Sequence, residues 1–398
     1  MNGWQQDVLG PGFEQLTLEL PAGSPATLVR HAGGGERWEP SALTGADVLY
    51  VHGWSDYFFQ RELAEFWTRA GAAFYALDLH NYGRSLRPGQ SPGQVSSLTE
   101  YDGDIAAALT AMGRCGAGTP VEPAAANAPM AANGSGGSGG SGSGRPGAEP
   151  EEPHPGGPMA WVAEALAALA RRRAAPAEPG RRPLVLLGHS TGGLTLSLWA
   201  ARHPGAADAV VLNSPWLEFQ ASEVGRAMVA PLIQARSRFR PLAPLPPLDP
   251  GFYTRAVSSR FDGEWDYEQK WRPDRGFPVT PGFLNAVFRG QAEVARGLGI
   301  EAPVLVMLSD KSYLQPRWSG DALAADVVLN VDTVARRALD LGPDVTLHRV
   351  SGAFHDIFLS PSAIRAHAYA GMGRWAEAAL DAGAAHRWAE RAEPAAEA

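Results

Sequence analysis

One cysteine in 398 residues, Cys115, sets the first limit on this chain. A single thiol cannot close an internal disulfide, and a zinc site built on several cysteines is excluded with it. Cys115 also adjoins a polar, low-complexity stretch, a poor setting for a reactive thiol. Lysine is almost absent: Lys270 and Lys311 are the only two, so arginine carries nearly all the positive charge. The formal net charge of −8 leaves no electrostatic footprint for nucleic acid. No apolar run approaches the length of a membrane span, and residues 1–7 lack the basic and apolar segments of a signal peptide. The expectation is a soluble, cytoplasmic protein with no integral membrane segment.

What is present is an ordinary enzyme-like balance, 45% hydrophobic and 19% charged residues. Short apolar runs at 15–20, 26–31, 47–51, 73–77, 184–187, 209–212, 303–308 and 345–350 read as strands. Helical segments at 61–69, 98–112, 159–173, 193–200 and 362–380 fall among them. Strands alternating with helices predict an α/β fold, a mostly parallel central sheet with helices on both faces. Two insertions break the alternation. Residues 116–158 hold a Gly/Ser run that cannot bury a core and read as a disordered surface loop. Residues 214–300 are rich in aromatics, proline and arginine and read as a lid. The core is then 1–213 with 301–398, and the lid stands above the carboxyl ends of the strands.

The chemistry concentrates at Gly188-His189-Ser190-Thr191-Gly192. A buried strand precedes it and a helix follows, so Ser190 falls on a sharp turn that projects its hydroxyl from the sheet edge. Glycines flank the turn because a Cβ would clash there. A serine hydroxyl needs a base, the base needs a carboxylate, and the developing oxyanion needs N–H donors. His355, on the loop after the last strand, supplies the base in the order nucleophile, acid, histidine. The donors are the N–H groups of Thr191 and of Trp54, which follows His52-Gly53 after the strand 47–51. For the acid, Asp310, Asp321, Asp326 and Asp332 all qualify by position. Asp78 instead orders the loop from His80 to Ser85, and His189 is structural.

These motifs, His52-Gly53, Asp78 with Asn81-Tyr82-Gly83-Arg84-Ser85, the stretch from Gly188 to Gly193 and His355-Asp356, resemble the α/β-hydrolases. Within them they are most similar to the serine aminopeptidase S33 or lysophospholipase-like (monoacylglycerol-lipase-like) group. The resemblance implies hydrolysis of carboxylic esters without a cofactor or metal. It also implies an acid followed by two apolar residues, which Asp326-Val327-Val328 matches. A longer stretch than usual separates the strand from Asp326, and this keeps Asp310 as the alternative acid. Trp54, Trp216 and Phe219 are the expected substrate-binding residues, with Phe252, Tyr253, Trp265 and Phe283 as further lid aromatics. They suit a small ester with an apolar acyl or alcohol group.

Two other readings stand beside the esterase. An aminopeptidase would need a lid carboxylate cluster to bind a free amine, which Glu264, Asp266 and Glu268 could supply. A non-catalytic protein would bind a small ligand under the lid. Epoxide and haloalkane hydrolases place aspartate where this chain has Ser190.

Overall fold

The computed structural model describes residues 3–21, 23–33, 35–114, 181–219, 223–245 and 250–381. Cys115, the insertion 116–158 and the helix expected at 159–173 lie outside these residues.

Among the described residues nine strands form one sheet in the order β1-β2-β3-β5-β4-β6-β7-β8-β9. They are β1 Gln5–Gln6, β2 Phe13–Leu18, β3 Ala26–His31, β4 Asp47–Val51, β5 Ala73–Asp78, β6 Leu184–His189, β7 Ala209–Asn213, β8 Val304–Ser309 and β9 Val345–Val350. The first three pair antiparallel, and β3 meets β5 antiparallel. From β5 through β4, β6, β7 and β8 to β9 every pairing is parallel. Strands β4, β6, β7 and β8 are buried at every residue, because helices cover both faces. That is why they read as unbroken apolar runs rather than alternating ones. Strand β9 is an edge, and its exposed Thr346, Leu347 and Arg349 show it.

Two apolar clusters sort by the period of the strands. Leu49 and Val51 point into one, with Ile105, Leu194, Trp199 and Val287 from helices α2 (Asp102–Ala111), α3 (Thr191–Arg202) and α6 (Pro281–Val294). Val48 and Tyr50 point into the other. Its helices are α1 (Arg61–Arg69), through Leu63 and Trp67, and α8 (Ser362–Leu380), through Ala368 and Met372. Burying a residue such as Leu63 contributes about 2 kcal/mol, so the hydrophobic stripes of these helices fix the sheet between two layers.

The segment joining β7 to β8 carries α4 (Glu223–Phe239), α5 (Phe252–Val257) and α6. Helix α7 (Val331–Arg337) follows β8. This is the α/β-hydrolase arrangement. Its consequence for function is simple: the loops after β4, β6, β7, β8 and β9 all leave the sheet at the same, carboxyl end. Among the described residues no helix is long and apolar enough to cross a membrane.

Candidate active site

Ser190 sits between β6 and α3 with φ 51° and ψ −116°, a backbone conformation that a side chain rarely adopts. Its N–H donates to the Asn213 carbonyl at 3.0 Å, and its carbonyl accepts from Trp216 N–H at 3.0 Å. The turn has no room for larger neighbours. A Cβ on Gly188 would lie 2.7 Å from Gly193 Cα, and one on Gly192 would run into the carbonyl oxygens of Val51 and His52. The glycine pattern therefore follows from the packing of β6 and α3 against the end of β4.

His355 lies on the loop after β9 and is 2% exposed. Its Nδ1 is 2.9 Å from Asp326 Oδ2, and its Nε2 is 3.1 Å from Ser190 Oγ. A carboxylate only accepts, so Nδ1–H donates to Asp326 and Nε2 is left to accept from the serine hydroxyl. The loop is held by the residue after the histidine. Asp356 accepts from Asn213 Nδ2 at 2.7 Å, Gln60 Nε2 at 3.0 Å and Phe358 N–H at 3.0 Å. Asn213 Oδ1 in turn accepts from Ile357 N–H at 3.1 Å. The end of β7 thus anchors both the elbow and the histidine loop.

Asp326 is fully buried. Its Oδ1 accepts from the N–H groups of Val328 and Leu329 at 2.7 and 2.8 Å, which leaves Oδ2 for the imidazole. The long stretch between β8 and this residue closes on itself. Tyr313 N–H donates to the Asp326 carbonyl at 2.7 Å, and Asp326 N–H to the Lys311 carbonyl at 3.0 Å. The extra residues form a loop whose two ends meet, so Asp326 returns to the strand end. Asp310 does not take this place. Its carboxylate accepts from Ser351 Oγ at 2.9 Å and Gly352 N–H at 3.2 Å, so the alternative acid is spent on the loop before His355. Asp332 pairs with Arg349, and Asp321 bonds Ser319 near its own backbone.

The loop after β4 lies against the elbow: a Cβ on Gly53 would sit 3.0 Å from Ser190 Cβ. His52 Nδ1 donates to the Gly53 carbonyl at 2.8 Å while Nε2 accepts from Leu79 N–H at 3.2 Å, so His52 staples two loops together. The Trp54 N–H is spent on no backbone carbonyl among the described residues. The Thr191 N–H opens a helix and has no intrahelical acceptor. Asp78 accepts from Phe58 N–H, Arg84 N–H and Arg84 Nη1, and Arg84 reaches on to Asp7 at 2.6 Å. It orders its loop, as its position in the sequence suggests.

A cavity of about 880 Å³ opens onto Ser190 and His355. Trp54, Trp216, Phe219, Phe252 and Tyr253 line it. Trp265 and Phe283 do not: Trp265 Nε1 donates to the Leu359 carbonyl, and Phe283 is buried against Trp54 with ring centroids 3.8 Å apart. Tyr313, Leu314 and Val327 add a wall from the loop after β8, which the sequence alone gave no reason to expect. Glu264 pairs with Arg365 and Glu268 with Lys270, at the surface and off the cavity lining.

Sequence reasoning also missed a buried polar group beside the triad of residues. Asp56 and Arg272, both nearly fully buried, form an ion pair with 3.1 Å between Arg272 Nε and Asp56 Oδ1. Burial pushes the Asp56 carboxyl up to about 7 against the pull of Arg272. Burial likewise pushes His189 down to about 4, and its Nδ1 donates to the Asn213 carbonyl. Ligand atoms of Asp56, His189 and Asp356 come within 4.8 Å of one another. Arg272 is paired with Asp56, and the Asn213 and Gln60 amides donate to Asp356.

A family model described as serine aminopeptidase, S33 matches residues 137–362. The chain is 29% identical over 180 residues to a monoacylglycerol lipase of Mycolicibacterium smegmatis (strain ATCC 700084 / mc(2)155), covering 45% of this chain and 57% of that protein. Among solved structures, DcsB in complex with its substrate analogue superposes with a TM-score of 0.51 at 14% identity, over 92% of this chain and 99% of that one. A monoacylglycerol lipase of Paleococcus ferrophilus gives 0.49 at 18% identity, over 84% and 97%. With the model spanning more than half of its residues, the chain belongs to the serine aminopeptidase S33 family and carries the α/β-hydrolase fold.

Proposed function

We propose that this protein is a serine hydrolase of carboxylic esters. The observation that carries the reading is one imidazole bonded on one side to Ser190 Oγ and on the other to Asp326 Oδ2. Ser190 Oγ attacks the acyl carbonyl as its proton passes to His355 Nε2, and Asp326 holds the ring in the tautomer that accepts it. The carbonyl oxygen gains its charge against the N–H groups of Trp54 and Thr191. Collapse expels the alcohol, which takes the proton from His355. Water then attacks the acyl-enzyme with His355 as base, and the acid leaves.

Residues 214–300 act as a cap over this site, because Trp216, Phe219, Phe252 and Tyr253 all come from it and line the cavity. Their apolar faces favour a small ester with an apolar acyl or alcohol group. The M. smegmatis relative, a monoacylglycerol lipase, agrees with that class. The aminopeptidase reading is weaker. An amine would need an unpaired carboxylate, and among the described lining residues the acid is Asp56, already paired with Arg272.

Two measurements test the proposal. Ser190→Ala should lower kcat on p-nitrophenyl esters by a factor on the order of 10⁶ while the protein still folds; near wild-type turnover would overturn it. Aminoacyl-amides offered beside a chain-length series of esters should be the poorer substrates by kcat/KM. A protein that hydrolyses neither, and whose Ser190 resists a fluorophosphonate probe, would be a binding protein on this fold.

A further inference from the structure

The loop that carries Trp54 does not hold its own shape. Ser55 has φ 52°, the left-handed region that a serine adopts only when its surroundings fix it there. Those surroundings come largely from the segment between β7 and β8, and they touch the loop residue by residue. Phe283, at the start of α6, lies on the Trp54 indole. Phe277 N–H donates to Ser55 Oγ at 2.8 Å in a buried bond. Arg272 meets Asp56 at 3.1 Å, with both side chains almost fully enclosed. Glu268 N–H donates to Tyr57 Oη at 2.8 Å. Tyr267 packs on Phe59. Arg272 is itself wedged between the rings of Tyr253 and Tyr267, 4.8 and 4.5 Å from their centroids. It therefore has one place to stand.

We propose that Arg272 is a positioning residue: through Asp56 it sets the loop 54–57 so that the Trp54 N–H points at the forming oxyanion. The inference rests on the ester-hydrolase reading above. It gives the segment 267–283 a role beyond enclosing substrate. This part of the insertion is a fixed buttress of the oxyanion loop, and it stays on the loop throughout turnover. A donor displaced by even about 1 Å loses much of its effect on the transition state while leaving substrate binding nearly untouched. The signature is thus a fall in kcat at constant KM.

The full-length protein carries the test, with p-nitrophenyl butyrate as substrate and an alkyl trifluoromethyl ketone as the tetrahedral-adduct probe. Arg272→Met should lower kcat about 10- to 100-fold with KM within about twofold. Affinity for the ketone should fall by the same factor as kcat/KM, because the ketone adduct carries the oxyanion and the ground-state ester does not. Arg272→Lys should recover part of the loss. Arg272→Met leaves Asp56 buried without its partner, so Asp56→Asn with Arg272→Met is measured beside it. The double variant carries no buried charge to destabilise it and should regain the melting temperature but not kcat.

Wild-type kcat and wild-type ketone affinity in the folded double variant would overturn the inference. So would wild-type values in Arg272→Met itself. Ser55→Ala, which removes the acceptor of the Phe277 N–H, is read by the same two criteria and is the mildest of the substitutions. Failure of the function reading looks different: Ser190→Ala would then keep turning over the ester. An inactive Ser190→Ala beside unimpaired Arg272 variants would sink the positioning role alone.

Discussion

Asp326 divides its work between two oxygens. Oδ1 is tied to two backbone N–H groups and Oδ2 accepts the hydrogen bond from His355 Nδ1–H. The first pair of bonds fixes the plane of the carboxylate, and the second fixes the imidazole tautomer. An asparagine keeps the shape but offers one acceptor where two are used, so either the turn or the tautomer is lost. Asp326→Asn should therefore reduce kcat by about 10⁴, the scale found when a triad carboxylate is neutralised without moving the other groups. Asp310→Asn is the matched control, since Asp310 serves Ser351 and Gly352 rather than the ring. Its kcat should stay within about twofold of wild type. Initial rates on one ester, with circular dichroism to show that both variants fold, separate the two aspartates. Equal losses in the pair would return the acid's place to open contest.

At the scale of elements, the elbow is where the end of β4, the end of β6 and the start of α3 come closest. The Cβ of an alanine at 192 would meet two backbone oxygens of the strand end rather than the tip of a flexible side chain, so one element must move. Gly192→Ala should cost about 1–3 kcal/mol in urea unfolding and should lower kcat as well, because the same strand end leads into the Trp54 loop. A variant with wild-type stability would show that the strand end and the helix do not abut tightly. This crowding is also why the elbow was legible in the sequence. Close packing of strand, turn and helix demands glycines at fixed offsets, and the apolar run before Ser190 announces a strand covered on both faces. The same logic exposed β4, β7 and β8. It could not reveal β1, a two-residue edge strand of exposed glutamines with no pattern to read. His355 was legible from chain order alone. Asp326 needed the family resemblance, since nothing local shows that Tyr313 and Lys311 bond back to it and close the intervening loop. Arg272 and Asp56 were not legible at all. Their meeting depends on how the insertion folds over the sheet, and an arginine among many in an arginine-rich chain carries no mark of being buried.

The molecule as a whole keeps ionisable groups buried beside the site, and folding must work against their charging in opposite directions. His189 is wholly buried, and its folded value of about 4 lies below the ordinary 6.5. Between those values the unfolded chain binds the proton and the folded one does not. Its contribution is therefore intact above about pH 6.5 and is lost as the pH falls toward 4. Asp56 has the reverse sign. Its folded value is raised from 3.8 to about 7, so the folded state holds the proton longer, and stability from this group drains away as the pH rises through 7. The two overlap across the mildly acidic range, which is why a melt of the wild-type protein alone cannot assign either. His189→Gln isolates one of them. It removes the imidazole while keeping an amide N–H able to reach the Asn213 carbonyl. From about pH 7.5 to about pH 4.5 the histidine accounts for about 2–3 kcal/mol of lost stability, so the variant should lose about that much less than wild type over the same interval. Urea midpoints at the two pH values give the difference directly. Parallel losses in the two proteins would mean that His189 titrates as freely in the fold as in the open chain, and that the space beside His355 is wet rather than sealed.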